Sequence, residues 1–120
     1  EHPFVGVEHL RGLGVDEGIL SAILGHAEYS GTPRETVMAK ALFAVDELAG
    51  FIVACAKVRP NGISDLKPKS VKKKLKDKRF AAAVSREDIS QGIEELGVDT
   101  TGHIQNCIDA IRTESELVGL

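Results

Sequence analysis

Among the metal-binding side-chain types in this sequence, His2, His26 and Asp46 are the three whose placement points to a shared divalent ion. Neutral imidazole and carboxylate are standard ligands for such ions. Such an ion acts as a Lewis acid and lowers the pKa of a bound water. Asp46 is the most informative of the three. It stands in the run Ala41–Ala56, which is apolar nearly all round and whose only other charge is Glu47. On a helix its neighbours three and four positions away are Leu42, Phe43, Ala49 and Gly50, so no local cation pairs with it. A carboxylate in apolar surroundings takes a cation, a hydrogen-bond donor or a metal from elsewhere in the fold, or stays protonated. His2 opens a short N-terminal helix and His26 ends the next one. Helix ends facing a central helix would bring both to Asp46. A single His at a helix end is more commonly a capping or surface residue, so the three gain meaning only together.

The elements that must position these residues are all helical. Residues 3–13 place Phe4, Val7 and Leu10 at helical spacing, with Gly12 and Gly14 as the stop. Asp16 caps a second helix with Ile19, Ala22 and Ile23 as its stripe, ending near His26. Tyr29–Pro33 is a turn. The stretch Thr32–Arg59 is the centre of the chain. Thr32 is the expected N-cap, Pro33 the first helical residue, and Glu35 completes a capping box. A helix apolar all round is buried on all sides, so Asp46 is expected inside. Pro60-Asn61-Gly62 stops it. Val71 and Leu75 give a thin stripe to a following helix, with a break just before Phe80. Ser85 opens a helix with Ile89, Ile93 and Leu96 inward and Gly97 as stop. A last helix starts near Thr100 or Thr101 and turns Ile104, Cys107, Ile108 and Ile111 to one face. No stretch alternates long enough to be a strand. The expectation is one all-α domain over residues 1–120, with five to seven helices and short loops.

Composition bounds what such a domain does. An apolar share of 42% supports a core, built from Leu, Ile, Val and Ala because aromatics are few and Trp is absent. The net charge of −3 gives no global signal for nucleic acid. Cys55 and Cys107 have neither CxxC nor zinc-finger spacing and read as reduced thiols in a cytoplasmic protein, packing residues without a nucleophilic role. The apolar run is too short to span a bilayer, and no signal peptide is visible. Glu47 lies about 100° round the helix from Asp46 and is expected to pair structurally with Arg34, Lys57 or Arg59.

Lys67–Arg79 packs seven Lys and one Arg into 13 positions. Lys72, Lys76 and Arg79 would share one helical face, with Lys73 beside them, and could bind a nucleotide phosphate or nucleic acid. A solvated face balancing an acidic remainder is the preferred interpretation, because no aromatic or Gly-rich element interleaves the cations.

One family carries these residues in combination. His2-Pro3 followed by Gly6, then Ala22-Ile23-Leu24-Gly25-His26, then Ala44-Val45-Asp46-Glu47-Leu48, resembles the later portion of HD-domain proteins, a superfamily of all-helical metal-dependent phosphohydrolases. Beyond Asp46, the stretches LAGFIVACAKVRP, SVKKKLKDKRFAAAV and SREDISQGIEELG are similar to a bacterial group of uncharacterised HD-type hydrolases in which a Lys-rich segment also occurs. The resemblance covers essentially the whole chain and implies a partial HD-domain-like helical bundle. It implies that Asp46 is the distant Asp of the metal site, and that His26 and His2 are downstream histidines that in many members bind a second metal or the substrate phosphate. The implied substrates are phosphate esters, often nucleotides, and the implied ions manganese, magnesium, iron, zinc or nickel. The chain departs from the family in having no His-Asp dipeptide, and in having His26-Ala27 where many members carry paired histidines. It therefore holds about one core ligand and two auxiliaries, too few to fix a metal tightly without others. Three explanations stay open: a fragment of a longer enzyme, ligands from a second chain, or a shortened relative that has lost catalysis. The alternative function is a non-catalytic helical module that self-associates, expected as a homodimer, through the apolar helix surface.

Overall fold

The structure, a computed structural model, describes residues 1–117 and 119–120. Among them there are six α-helices and one short 3₁₀ turn, and no strand. The helices are α1 (Phe4–Gly12), α2 (Glu17–Gly25), α3 (Val37–Lys57), α4 (Pro68–Leu75), α5 (Arg86–Leu96) and α6 (Thr100–Thr113), with the 3₁₀ turn at Glu28–Ser30 between α2 and α3. The all-α expectation holds.

Local chemistry accounts for most of the boundaries. The Asp16 side chain accepts from Gly18 N at the start of α2, and Ser85 accepts from Asp88 N at the start of α5. Gly97 ends α5 in the left-handed conformation, φ 73°, which a side chain would resist. The start of α3 differs from expectation. Thr36, not Thr32, is the N-cap, accepting from Ala39 N at 3.1 Å, and Glu35 lies outside the helix. Residues 31–35 lie outside any helix, with Gly31 left-handed at φ 71°, and Arg34 there makes tertiary contacts that no local signal carries. Its guanidinium donates to both Glu95 carboxylate oxygens at 2.7 Å, to Glu28 at 3.0 Å and to the Gly25 carbonyl at 2.7 Å, and lies 3.8 Å from the Phe43 ring centroid. One side chain thus ties the end of α2, the 3₁₀ turn, α3 and α5 together.

The 21-residue α3 is the spine, about 31 Å long. Leu48, Phe51, Ile52, Cys55 and Ala56 are buried against Ile63, Leu66 and Val71, Ile89 and Ile93 of α5, and Ile104 and Ile108 of α6. Its closest neighbour is α5. At Gly92 the helices approach until an added Cβ would stand 2.8 Å from Ala44 Cα. His103, buried at the start of α6, adds a polar tie, with Nε2 3.0 Å from the Ala44 carbonyl oxygen. After α4 the chain turns so that Phe80 can meet Phe51 edge-on, centroids 5.7 Å apart. Arg86 holds this turn by donating to the carbonyls of Leu75, Asp77, Phe80, Ala81 and Val84. The helices α1 and α2 stand apart from this core. Among the helices, α1 packs mainly on α2, and α2 on α3. The radius of gyration, 15.3 Å, accordingly exceeds the value of about 14 Å for a compact chain of this length.

Candidate metal-ligand pair and basic surface

Two of the three candidate ligands come together. His2 precedes α1, whose N-cap Pro3 is buried, and the Tyr29 hydroxyl donates to the His2 carbonyl oxygen. His26 caps the C-terminus of α2. The two Nε2 atoms lie 3.1 Å apart, and the rings meet edge-on with centroids 5.0 Å apart. His26 Nδ1 is hydrogen-bonded to the Ile23 carbonyl oxygen, which can only accept, so Nδ1 carries the hydrogen. The Nε2 of neutral His26 is then left with a free lone pair facing His2. His2 Nε2, 3.1 Å away, can donate into that lone pair as one tautomer of its ring.

Asp46 is not with them. It is exposed, contrary to the burial expected from its apolar neighbours. The covering helices α2, α5 and α6 bury one side of α3, through Ala39, Phe43, Ala44, Leu48, Phe51 and Ile52. The opposite face looks outward: Met38, Asp46 and Gly50 are exposed, with Leu42, Ala49 and Val53 half-buried among them. A helix apolar on every side thus has only one side covered, and water solvates the carboxylate. Among the described residues no group of three or more His, Cys, Asp or Glu is placed to hold a metal ion. Glu47 also differs from expectation: its carboxylate accepts from Ser85 N at 3.4 Å and has no ion pair with Arg34, Lys57 or Arg59.

The basic run is shorter as a helix than its spacing suggests. Because α4 ends at Leu75, Arg79 lies in the turn beyond, its backbone N–H on Asp77 Oδ1, and does not share a helical face with Lys72 and Lys76. Lys72 and Lys76, with Lys69 and Lys73, line a depression of about 430 Å³ whose far wall is Thr101 of α6. Lys72 donates to the Thr101 hydroxyl.

Two thiols complete the inventory. Cys55 is buried and its pKa is pushed up to about 11 by loss of hydration. Cys107 does have a histidine at hand, His103 Nε2 at 3.9 Å one helical turn away, a pairing visible in the i, i+4 spacing. Burial nevertheless raises its pKa, and His103 is engaged with the Ala44 carbonyl, so the thiol is not activated. Arg34 and Arg86 had no signal in the sequence, because their partners lie on other elements or on backbone carbonyls. No protein-family model, curated protein or solved structure matches the chain. No helix of the described residues is long and apolar enough to cross a membrane.

Proposed function

We propose that this chain is an HD-type metal-dependent phosphohydrolase-like protein of the cytoplasm, directed at a phosphate ester or nucleotide, with His2 and His26 as two adjacent ligands of its metal site. The imidazole pair is the observation that carries this. Two ligand nitrogens 3.1 Å apart suit one ion about 2.0–2.1 Å from each, with an angle of about 100° between them. His26 has the outer support that metal-bound imidazoles use, its other nitrogen on a backbone carbonyl. His2 would move its hydrogen to Nδ1 and present Nε2. Imidazole ligands favour transition ions over magnesium. A bound ion would supply Lewis acidity and a low-pKa water. Two nitrogens do not complete a coordination sphere; water would fill the remaining positions, and Asp46, exposed on the outer side of α3, is not among the ligands. Equilibrium dialysis against zinc tests this. The native protein should take up one ion per chain, and His2→Gln and His26→Gln should each weaken it by more than about tenfold. Asp46→Ala should leave the uptake unchanged. An absence of stoichiometric zinc, or uptake indifferent to both histidine substitutions, removes the metal role.

The open face of α3 favours a second reading, a self-associating module. Met38, Leu42, Ala49 and Val53 present apolar surface where a second copy would exclude water. Sedimentation should then show a dimer that Val53→Glu dissociates. A well-behaved monomer at high micromolar concentration would oppose it.

A further inference from the structure

The eight cations of residues 67–79 face a single acid, Asp77, while the rest of the chain has seven basic residues against 17 acidic ones. The eight cations of this segment therefore carry charge that its own acid does not neutralise. Among the described residues none of them forms an ion pair, although Arg11, Arg34, Arg59 and Arg112 all do. Six of the eight are exposed, and Lys72 and Lys74 are half-buried.

The charge is also shaped. Val71 and Leu75 turn towards the core and leave α4 as a ridge with a depression on each flank. Lys69, Lys72 and Lys76 line the flank towards Thr101, and Lys73 borders both depressions. Lys74, with Arg59, lines the other flank, about 350 Å³. Lys69, Lys72 or Lys73, and Lys76 therefore form one row repeating at about one helical turn, 5.4 Å, while the other flank sets Lys74 and the Asp65-paired Arg59 beside Asp77.

We propose that this ridge docks onto double-stranded nucleic acid, through its phosphates and without reading its bases. A duplex offers continuous rows of phosphates at high charge density, which complements the row of ammonium groups along this ridge. Other anionic partners fit less well. No large apolar side chain of residues 67–79 is exposed, so a lipid surface would find no anchor. A single phosphate calls for convergent, preorganised donors. Here the ammonium groups are spread along the ridge, and the nearby start of α6 is already capped by Asp99, which accepts from Gly102 N at 2.8 Å. Phe80 is half-buried with Lys74 Nζ 4.7 Å from its ring centroid, so no aromatic platform is offered to an unpaired base. The net charge of −3 conceals this surface, because it averages a strongly basic patch with an acidic remainder.

Fluorescence anisotropy with a labelled mixed-sequence DNA duplex of about 20 base pairs tests the assignment. Binding through about four phosphate contacts should weaken on the order of 100-fold between about 50 and 200 mM salt. The pair Lys72→Glu and Lys76→Glu should weaken it more than about tenfold with helix content unchanged by circular dichroism, whereas the charge-matched pair Lys40→Glu and Lys57→Glu should not. No binding at the lower salt, or equal loss in both pairs, would overturn the assignment. So would capture by vesicles of equal parts phosphatidylcholine and phosphatidylserine without binding to the duplex.

Discussion

Gly92→Ala should be among the most damaging single-methyl changes in this protein. In a helix interior, Gly to Ala ordinarily gains about 1 kcal/mol from backbone entropy alone. At Gly92 the new Cβ would stand 2.8 Å from Ala44 Cα, 3.2 Å from Ala44 N and 3.2 Å from the Phe43 carbonyl oxygen. All three are backbone atoms of the buried side of α3, which cannot swing aside as a flexible side chain would. The two helices must separate, loosening Ile89 and Ile93 from the core. Overpacking of this kind costs about 1–3 kcal/mol, and imposed on backbone it belongs at the upper end. The net expectation is a loss of about 2 kcal/mol after the propensity gain. Gly50→Ala is the internal control: it lies in the same spine helix, exposed, with nothing within 4 Å of its added Cβ. It should stabilise by up to about 1 kcal/mol. Urea titrations of both variants should therefore differ by about 3 kcal/mol, or about 10 °C in melting temperature. Gly92→Ala melting at or above the native protein would refute the close α3–α5 crossing, and with it the orientation that turns Asp46 outward.

Further outcomes follow from Arg34 and the thiols. Arg34→Met should cost about 2–3 kcal/mol by urea titration, less than a fully buried pair because Glu95 keeps 25% of its side-chain surface exposed; a loss within error would show the network to be incidental. Chiefly through its hydrogen bond from Arg34, the Glu95 carboxyl is held below its ordinary value of 4.5. A depressed carboxyl contributes stability that is present above the ordinary value and lost as pH falls through the folded one. Native protein should thus lose stability below about pH 4.5 more steeply than Glu95→Gln, and parallel acid curves would contradict the pairing. With Cys55 pushed up to about 11 and Cys107 also raised, a disulfide reagent near neutral pH should label both only slowly until urea is added. Immediate stoichiometric labelling of the folded protein would mean that Cys55 is not buried as described.

Where the governing interaction is local, the sequence was sufficient. Asp16 and Ser85 cap their helices, Gly97 stops α5, and Phe80 falls off the α4 stripe as its spacing implies. Two elements were misread for tertiary reasons. Thr32-Pro33 has the composition of a helix start, yet Arg34 is held by Glu95, 61 residues away, and the helix waits until Thr36. Apolar character all round α3 suggested burial all round, but composition states what a face could bury, not whether a neighbour is there to bury it. Asp46 is exposed for that reason. Within the site, helix ends suggest that His2 and His26 both meet Asp46; the structure brings the two imidazoles to each other instead, and the choice of the Ile23 carbonyl as the partner of Nδ1 depends on ring orientation, which spacing does not carry.

The metal role of the imidazole pair is tested most directly by the nitrogen-15 NMR signals of His2 and His26 during a zinc titration. Without metal, His26 should carry its hydrogen on Nδ1, fixed by the Ile23 carbonyl. Added zinc should shift Nε2 of both rings together, in one saturable step at one ion per chain. Signals that ignore zinc, or a shift at one ring alone, would contradict a shared ion between them.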